Sequence, residues 1–455
     1  KGLGRLLAFL PAAMPALCLG ILLIWLFFIQ WRVLPAVGMF DPRVGPGDLA
    51  GRLRHLVLPV VTLALYPALL TGQAVAREVT LPRERAGGRL LLVGLLKALG
   101  TLLGQIGGLL SAIVVVEVLF AWPGIGRLAF DALARADFPV VSGLLLTFAL
   151  LVLAGRLVAE LFRWLERLVR EPLSAPLPQT GRWRKSARTV YLLAALSLLL
   201  APLGLAIAGL TADPGAFVRT DPLARLDPPS PRHPWGTDKQ GRDLQQMALR
   251  GALAWLGMAG LVAVALLLPA GLWGALTGFL SSLRTFWMES LADLLLLPAD
   301  ALLLIPAVPG AIVTVILLYP RFEGPLAGWI AVGGAAALFL LPRAIRVYPT
   351  LWPAAPGGRR GLLLGLAGPA ALLLGSYFAA LALIVSVDFL GLGVRPPVLT
   401  LGSVMEGAVN YSTSAPHLLL VPGILLAACA FALYTAADAV VGFFHTKQAM
   451  ARLNE

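Results

Sequence analysis

The stretch VVVEVLFAWPGIGRLAFDAL, Val114–Leu133, decides how the rest of the chain is read. It opens as an apolar run broken by one acid, Glu117, without the strict alternation of a half-buried strand. Phe120 and Trp122 then suit a membrane–water boundary, while Pro123, Gly124 and Gly126 end a helix and force a turn. The RLAFDAL that follows has the spacing of a short amphipathic helix. Together these residues describe a chain that leaves an apolar phase, turns, and lies back along its boundary.

The bulk composition agrees. Of 455 residues, 59% are hydrophobic and only 13% charged, and the mean hydropathy is +0.86. A soluble domain is about 45–50% apolar and about 25% charged. Folding on itself cannot hide this much apolar surface from water, so the expected fold class is all-α, a polytopic membrane helix bundle. The apolar runs are Leu- and Ala-rich and far longer than barrel strands. About ten spans are expected, near 7–29, 56–77, 91–119, 139–160, 188–210, 251–279, 289–318, 326–346, 362–387 and 417–440.

The most polar interior segment is EPLSAPLPQTGRWRKSAR, residues 171–188, with the Pro, Ser, Gly and basic content of a linker. It divides the chain into a four-span part, 1–171, a basic cytoplasmic linker, 172–187, and a six-span part, 188–455. Each part ends alike: an apolar run, a Gly- and Pro-marked loop, a last span and a charged tail. That is a weak internal repeat of the kind transporters build from duplicated halves. Placing both ends and the linker in the cytoplasm puts the excess of Lys and Arg there, although the 211–250 loop dilutes the bias.

The net charge of +13 does not mark a nucleic-acid binder, because the basic residues are scattered through short loops rather than forming a stripe. Membrane lipids are the expected contact. Cys18 and Cys429 lie in apolar runs, and the four histidines are far apart in sequence. No CxxC, HExxH, Walker A or GxSxG pattern occurs, so no cofactor, metal or catalytic centre is expected and the chain reads as no enzyme. Glu117 and Asp293 stand out as acids in or near span ends, where pairing or helix-end roles compete with a functional one. Gly100, Gly104 and Gly108 have the spacing of close helix packing, and Gln105, Ser111, Ser376 and Tyr377 suit either a pore or interhelical hydrogen bonds.

Two further loops are as distinctive as the first: HPWGTDKQGRDL, His233–Leu244, and VDFLGLGVRPPVLTLGSVMEGA, Val387–Ala408. In these, Phe120, Trp122, Pro123, Gly124 and Gly126 of the first loop are joined by His233, Gly236, Thr237, Asp238, Gly241, Arg242 and Asp243, then Phe389, Gly391 and Gly393. The three together resemble the signatures of the dipeptide/oligopeptide/nickel-type ABC importer permeases, in the family's order and spacing. Residues 1–171 resemble the last four spans of one permease, lacking its usual opening span and external domain. Residues 188–455 resemble the whole six-span partner. The resemblance implies two permease halves in a bacterial-type inner (plasma) membrane. It also implies extracytoplasmic motif loops, a solute-binding protein that delivers peptides, nickel chelates or a related solute, and separate ATPase subunits.

The cytoplasmic loops depart from that pattern. REVTLPRERAGGRLLLVG, 77–94, and RAIRVYPTLWPAAPGGRRGLLLGLA, 343–367, lack the family's Glu-Ala-Ala…Gly coupling helix. Each is shorter than the family form by about 15 residues, roughly four turns of helix. Pro82 with Gly87–Gly88, and Pro349, Pro353 and Pro356 with Gly357–Gly358, oppose an ordered helix there. Arg83, Glu84, Arg85, Arg359 and Arg360 are what remains for a partner to grip. A second reading therefore stands beside transport: a repurposed permease, uncoupled from ATPases, that serves as a structural or assembly subunit among unrelated membrane proteins.

Overall fold

A computed structural model describes residues 14–41, 43–45, 47–79, 87–169, 197–215, 217–282, 286–324, 326–351 and 359–452. The chain divides into two compact units, residues 1–184 with 304–309, and residues 185–303 with 310–455.

In the first unit, α1 (Ala16–Leu23) runs into a π-helical turn, Ile24–Gln30. The long α2 (Leu49–Val79) follows, then α3 (Gly87–Gly104), α4 (Ile106–Leu119), the short α5 (Ile125–Ala134) and α6 (Phe138–Val169). The second unit holds α7 (Leu200–Thr211), α8 (Leu244–Ser282), α9 (Phe286–Leu302), α10 (Ala307–Leu318, from Gly310 onward), α11 (Ala327–Leu351) and α12 (Arg359–Phe389). A helical turn, α13 (Leu401–Val404), and the last helix, α14 (His417–Arg452), complete it. The one β pairing among the described residues is an isolated bridge between Thr237 and Asp243.

The protein is thus an all-α, multi-span membrane bundle. Among the described residues, six helices are long and apolar enough to cross a membrane: Leu49–Gly72, Phe138–Val169, Leu244–Thr277, Ala327–Arg346, Leu372–Phe389 and His417–Ala437. Two bent pairs raise the number to eight: Leu91–Gly104 with Ile106–Leu119, bent by 53°, and Asp293–Leu302 with Ala307–Arg321, bent by 81°. The expected spans near 7–29 and 188–210 are represented by the shorter apolar helices Ala16–Gln30 and Leu200–Thr211, and residues 1–13 and 170–196 lie outside the described residues.

With no water beside them, several hydroxyls in these helices are satisfied by their own helix backbone. Thr62, Ser111, Thr314, Ser386 and Thr435 each donate to the carbonyl four residues earlier, at 2.7–3.1 Å. The second unit is built around α8 and α12. The fully buried Trp255 of α8 donates its indole N–H to Leu381 O at 3.0 Å. In the reverse direction, the Tyr377 hydroxyl of α12 donates to Leu256 O at 3.1 Å. Each aromatic tip satisfies itself on the other helix, which sets both rotation and register.

Two details differ from the sequence expectations. The helix α11 runs through Pro349 to Leu351, and α3 begins at Gly87, so neither Pro349 nor the Gly87–Gly88 pair falls outside a helix. The second detail concerns Gly100, Gly104 and Gly108. A methyl at Gly100 would meet Ala159 O at 3.4 Å, whereas Gly104 and Gly108 have nothing within 4 Å. Gln105, between them, is where the span breaks: its side-chain N–H donates to Thr101 O at 3.1 Å, and its Oε1 is buried with no partner among the described residues.

Candidate functional site

In the first unit the motif loop hangs on Glu117. Helix α5 starts at Gly124 with extended backbone and no capping side chain of its own. Its first N–H groups need an acceptor, and Glu117, in the last turn of α4, supplies one: Arg127 N–H donates to Oε2 at 2.8 Å. A carboxylate at a helix N-terminus is also favoured by the helix dipole. The glycines follow from this closeness. A Cβ at Gly124 would lie 2.1 Å from Glu117 Oε1, and one at Gly126 would lie 2.7 Å from Val114 Cα. The turn between the helices is tight: Ala121 takes a left-handed φ of 48°, and Trp122 N–H donates to Glu117 O at 2.8 Å. Buried Phe120 offers its carbonyl to Gly38 N–H at 2.8 Å, tying in the 31–48 loop.

The second unit contains the same device around Asp388, 1% exposed at the end of α12. Its Oδ1 accepts Val394 N–H at 2.9 Å and its Oδ2 accepts the Thr400 hydroxyl at 2.6 Å. A Cβ at Gly393 would fall 1.8 Å from Oδ1, and one at Gly402 would fall 2.7 Å from the Asp388 Cβ. Gly391 turns the chain at φ 71°. Thr400 in turn caps α13 in a reciprocal pair with Ser403. Phe389 is buried beside this loop. At the rim, Arg395 N–H donates to the Tyr319 hydroxyl at 3.0 Å, and its guanidinium lies 4.7 Å from that ring's centroid.

In both units, then, an acid closing an apolar helix reaches over the glycines of the next loop. That loop leads into a short helical element and a last long helix. Asp388 was not among the acids singled out from sequence. The signal was present, since an acid ends an apolar run a few residues before paired glycines in both VEVLFAWPGIG and VDFLGLG.

The His233–Leu244 motif belongs to a loop of the second unit, between α7 and α8. Residues 226 and 227 pair with 238 and 237 through backbone and hydroxyl hydrogen bonds of 2.9–3.1 Å. Asp238 organises the turn: Oδ1 accepts Gln240 and Arg242 N–H, both at 2.8 Å, and Oδ2 meets the Arg242 guanidinium at 2.6–2.7 Å. Asp243 caps α8 by accepting Gln246 N–H at 3.0 Å, and its other oxygen lies 2.9 Å from His233 Nδ1. His417, opening α14, places Nε2 3.1 Å from Thr237 O. Gly236 (φ 81°) and Gly241 (φ 75°) are held where a side chain would strike His417 and Asp221.

Asp293 is exposed on α9 and joins none of these loops. Arg83, Glu84 and Arg85 lie outside the described residues, and Arg359 and Arg360 open α12. Among the described residues no group of His, Cys, Asp or Glu has the geometry of a metal site. The carboxylates and imidazoles here are engaged with backbone and with each other. The arrangement is suited to fixing loop shape rather than to bond making or breaking.

Residues 94–171 match the family model of the binding-protein-dependent transport system inner membrane component. This stretch covers most of α3 and all of α4, the Glu117 loop, α5 and α6. The chain is 33% identical over 187 residues to the di/tripeptide transport system permease protein DppB of Pseudomonas aeruginosa. That alignment covers 33% of this chain and 55% of the relative. It is 28% identical over 191 residues to the dipeptide transport system permease protein DppB of Escherichia coli K12, covering 34% and 56%. To the glutathione transport system permease protein GsiC of Pectobacterium atrosepticum it is 33% identical over 185 residues, covering 37% and 57%. The chain therefore spans about half the length of the curated relatives it matches. These relatives are transport permeases, not catalytic enzymes, and the match is to their family.

Proposed function

We propose that this chain is the transmembrane permease component of an ABC-type importer in a bacterial-type inner membrane. About ten spans form two permease halves, 1–171 and 188–455, joined by the basic linker 172–187, with both ends cytoplasmic. The cargo class is peptides or a related solute, nickel chelates included, delivered by an extracytoplasmic binding protein and driven by separate ATPase subunits. The observation that carries this reading is the paired acid-and-glycine construction. Glu117 with Gly124 and Gly126 lies inside the matched family segment, and Asp388 with Gly391 and Gly393 repeats the device in the other unit. Alternating access needs rigid parts that rock about a site. A loop locked to the end of its span moves with that span.

A second reading, the repurposed subunit uncoupled from ATPases, is favoured by the sequence of the two loops at 77–94 and 343–367, both of which lack the Glu-Ala-Ala…Gly pattern of the family they resemble. Without a mechanical link, ATP hydrolysis cannot bias the conformational equilibrium. Native purification from membranes followed by quantitative mass spectrometry separates the two. Stoichiometric ATPase subunits support the importer; a stable complex with unrelated membrane subunits and no ATPase overturns it.

A further inference from the structure

The segment from the end of α7 to the first turns of α8 is rich in charge and close to neutral. Against five Asp, six Lys and Arg residues lie between 211 and 250. Three have partners: Arg219 pairs with Asp213 at 2.8 Å, Arg242 with Asp238 at 2.6 Å, and Arg250 donates to Gly209 O at 3.3 Å. Arg225, Arg232 and Lys239 form no ion pair among the described residues, and all three are exposed. Four of the nearby acids, Asp213, Asp221, Asp238 and Asp243, accept backbone N–H groups and so hold fixed positions in the loop, while Asp227 is exposed.

Two of the three cations stand together beside an exposed leucine. Leu226 N–H donates to Asp238 O at 3.0 Å, so Arg225 and Lys239 flank the same backbone hydrogen bond. Asp221 folds the adjacent turn, accepting Leu223 N–H on Oδ1 and Ala224 N–H on its carbonyl, both at 3.0 Å. The Thr237 hydroxyl, donating to Ala224 O, fastens that turn to the loop. Leu223 is 96% exposed at its tip. The turn packs on Gly241, where a Cβ would lie 1.7 Å from Asp221 O. Gly241 precedes by three residues Leu244, where the membrane-crossing run of α8 begins. A leucine held by fixed hydrogen bonds has already lost the freedom that binding would otherwise remove.

We propose that Leu223, Arg225 and Lys239 form a seat for anionic phospholipid around the first turn of α8. Leu223 enters the acyl boundary and the two cations meet the phosphate headgroups. The placement selects lipid over a protein partner, because the bilayer surface must pass the level at which α8 enters it. This inference is independent of the transport reading.

The test uses the full chain with Leu223→Cys carrying an environment-sensitive fluorophore; both native cysteines, Cys18 and Cys429, are buried. The protein is placed in nanodiscs of phosphatidylcholine alone or mixed with phosphatidylglycerol. In the anionic discs the label shifts to the blue and is shielded from iodide several-fold. Arg225→Glu with Lys239→Glu abolishes the difference, each cation at an anionic surface being about a fivefold effect. Native mass spectrometry of the unlabelled protein shows phosphatidylglycerol retained, and less of it in the double variant. Iodide quenching as free as for the dye in water in both discs overturns the proposal. So does a shift produced by inorganic phosphate in neutral discs, equal lipid retention in the double variant, or shielding that appears only when a protein partner is added.

Discussion

Asp388→Ala gives the sharpest test of the acid-and-glycine device. The substitution removes the acceptor of two buried donors, Val394 N–H at 2.9 Å and the Thr400 hydroxyl at 2.6 Å. Leaving a buried donor unsatisfied costs about 1–3 kcal/mol. The Thr400 hydroxyl can rotate towards another acceptor and Val394 N–H cannot, so a loss of about 3 kcal/mol is expected for the loop. At 1.4 kcal/mol per decade, that speeds local opening roughly 100-fold. Hydrogen exchange followed by mass spectrometry reads this directly in peptides spanning 389–405, in detergent or nanodiscs. The acceleration should be confined to that loop and to α13, whose cap is Thr400. Asp388→Asn keeps an oxygen for Val394 N–H and loses only the charge-assisted part, so it should be accelerated far less. Unchanged exchange in Asp388→Ala would refute the reasoning, because the loop's shape would then not depend on the carboxylate.

Related substitutions have calculable outcomes. Glu117→Ala should accelerate exchange of peptides covering 124–131 by about tenfold, one charge-assisted bond of about 1.5 kcal/mol being lost to the α5 amides. Gly393→Ala places a methyl 1.8 Å from a carboxylate oxygen; by the usual cost of overpacking it should lose about 1–3 kcal/mol or more, read as a lowered apparent melting temperature. Trp255→Phe loses the bond to Leu381 O and part of the fully buried indole, costing about 3 kcal/mol by the same assay, whereas Tyr377→Phe loses only its hydroxyl and costs about 1–2 kcal/mol. Arg242→Met strips a mostly buried Asp238 of its partner, side chains 17% and 10% exposed, and should destabilise the 226–243 loop by about 3 kcal/mol, seen as faster proteolysis there.

The membrane-bundle class was legible because Leu- and Ala-rich runs of span length admit few other structures. The motif glycines were legible as turns, but their reason was not. Gly124 and Gly393 exist for carboxylates that arrive from the preceding helix, and a side chain's reach back over a loop leaves no periodic trace. The same blindness hid Asp388, which reads as one more residue in an apolar stretch. The bends at Gln105 and at 303–306 were missed for a related reason. Apolar content runs straight through both, and only Gly104 and Pro306 mark the breaks. The extension of α11 past Pro349 shows propensity yielding to the rest of the helix. In the 226–243 loop, sequence showed a turn-rich segment, while the roles of Asp238 and Asp243 emerged only with their hydrogen-bond partners.

The central claim is that this scaffold moves a peptide-like solute across the membrane. It is tested most directly by uptake of labelled di- and tripeptides in cells with the chain deleted and then restored. The account predicts that uptake falls on deletion, returns with the wild-type chain, and fails to return with Asp388→Ala. Uptake that is unaffected by deletion across the peptide set, together with a chain that purifies without ATPase subunits, would contradict it.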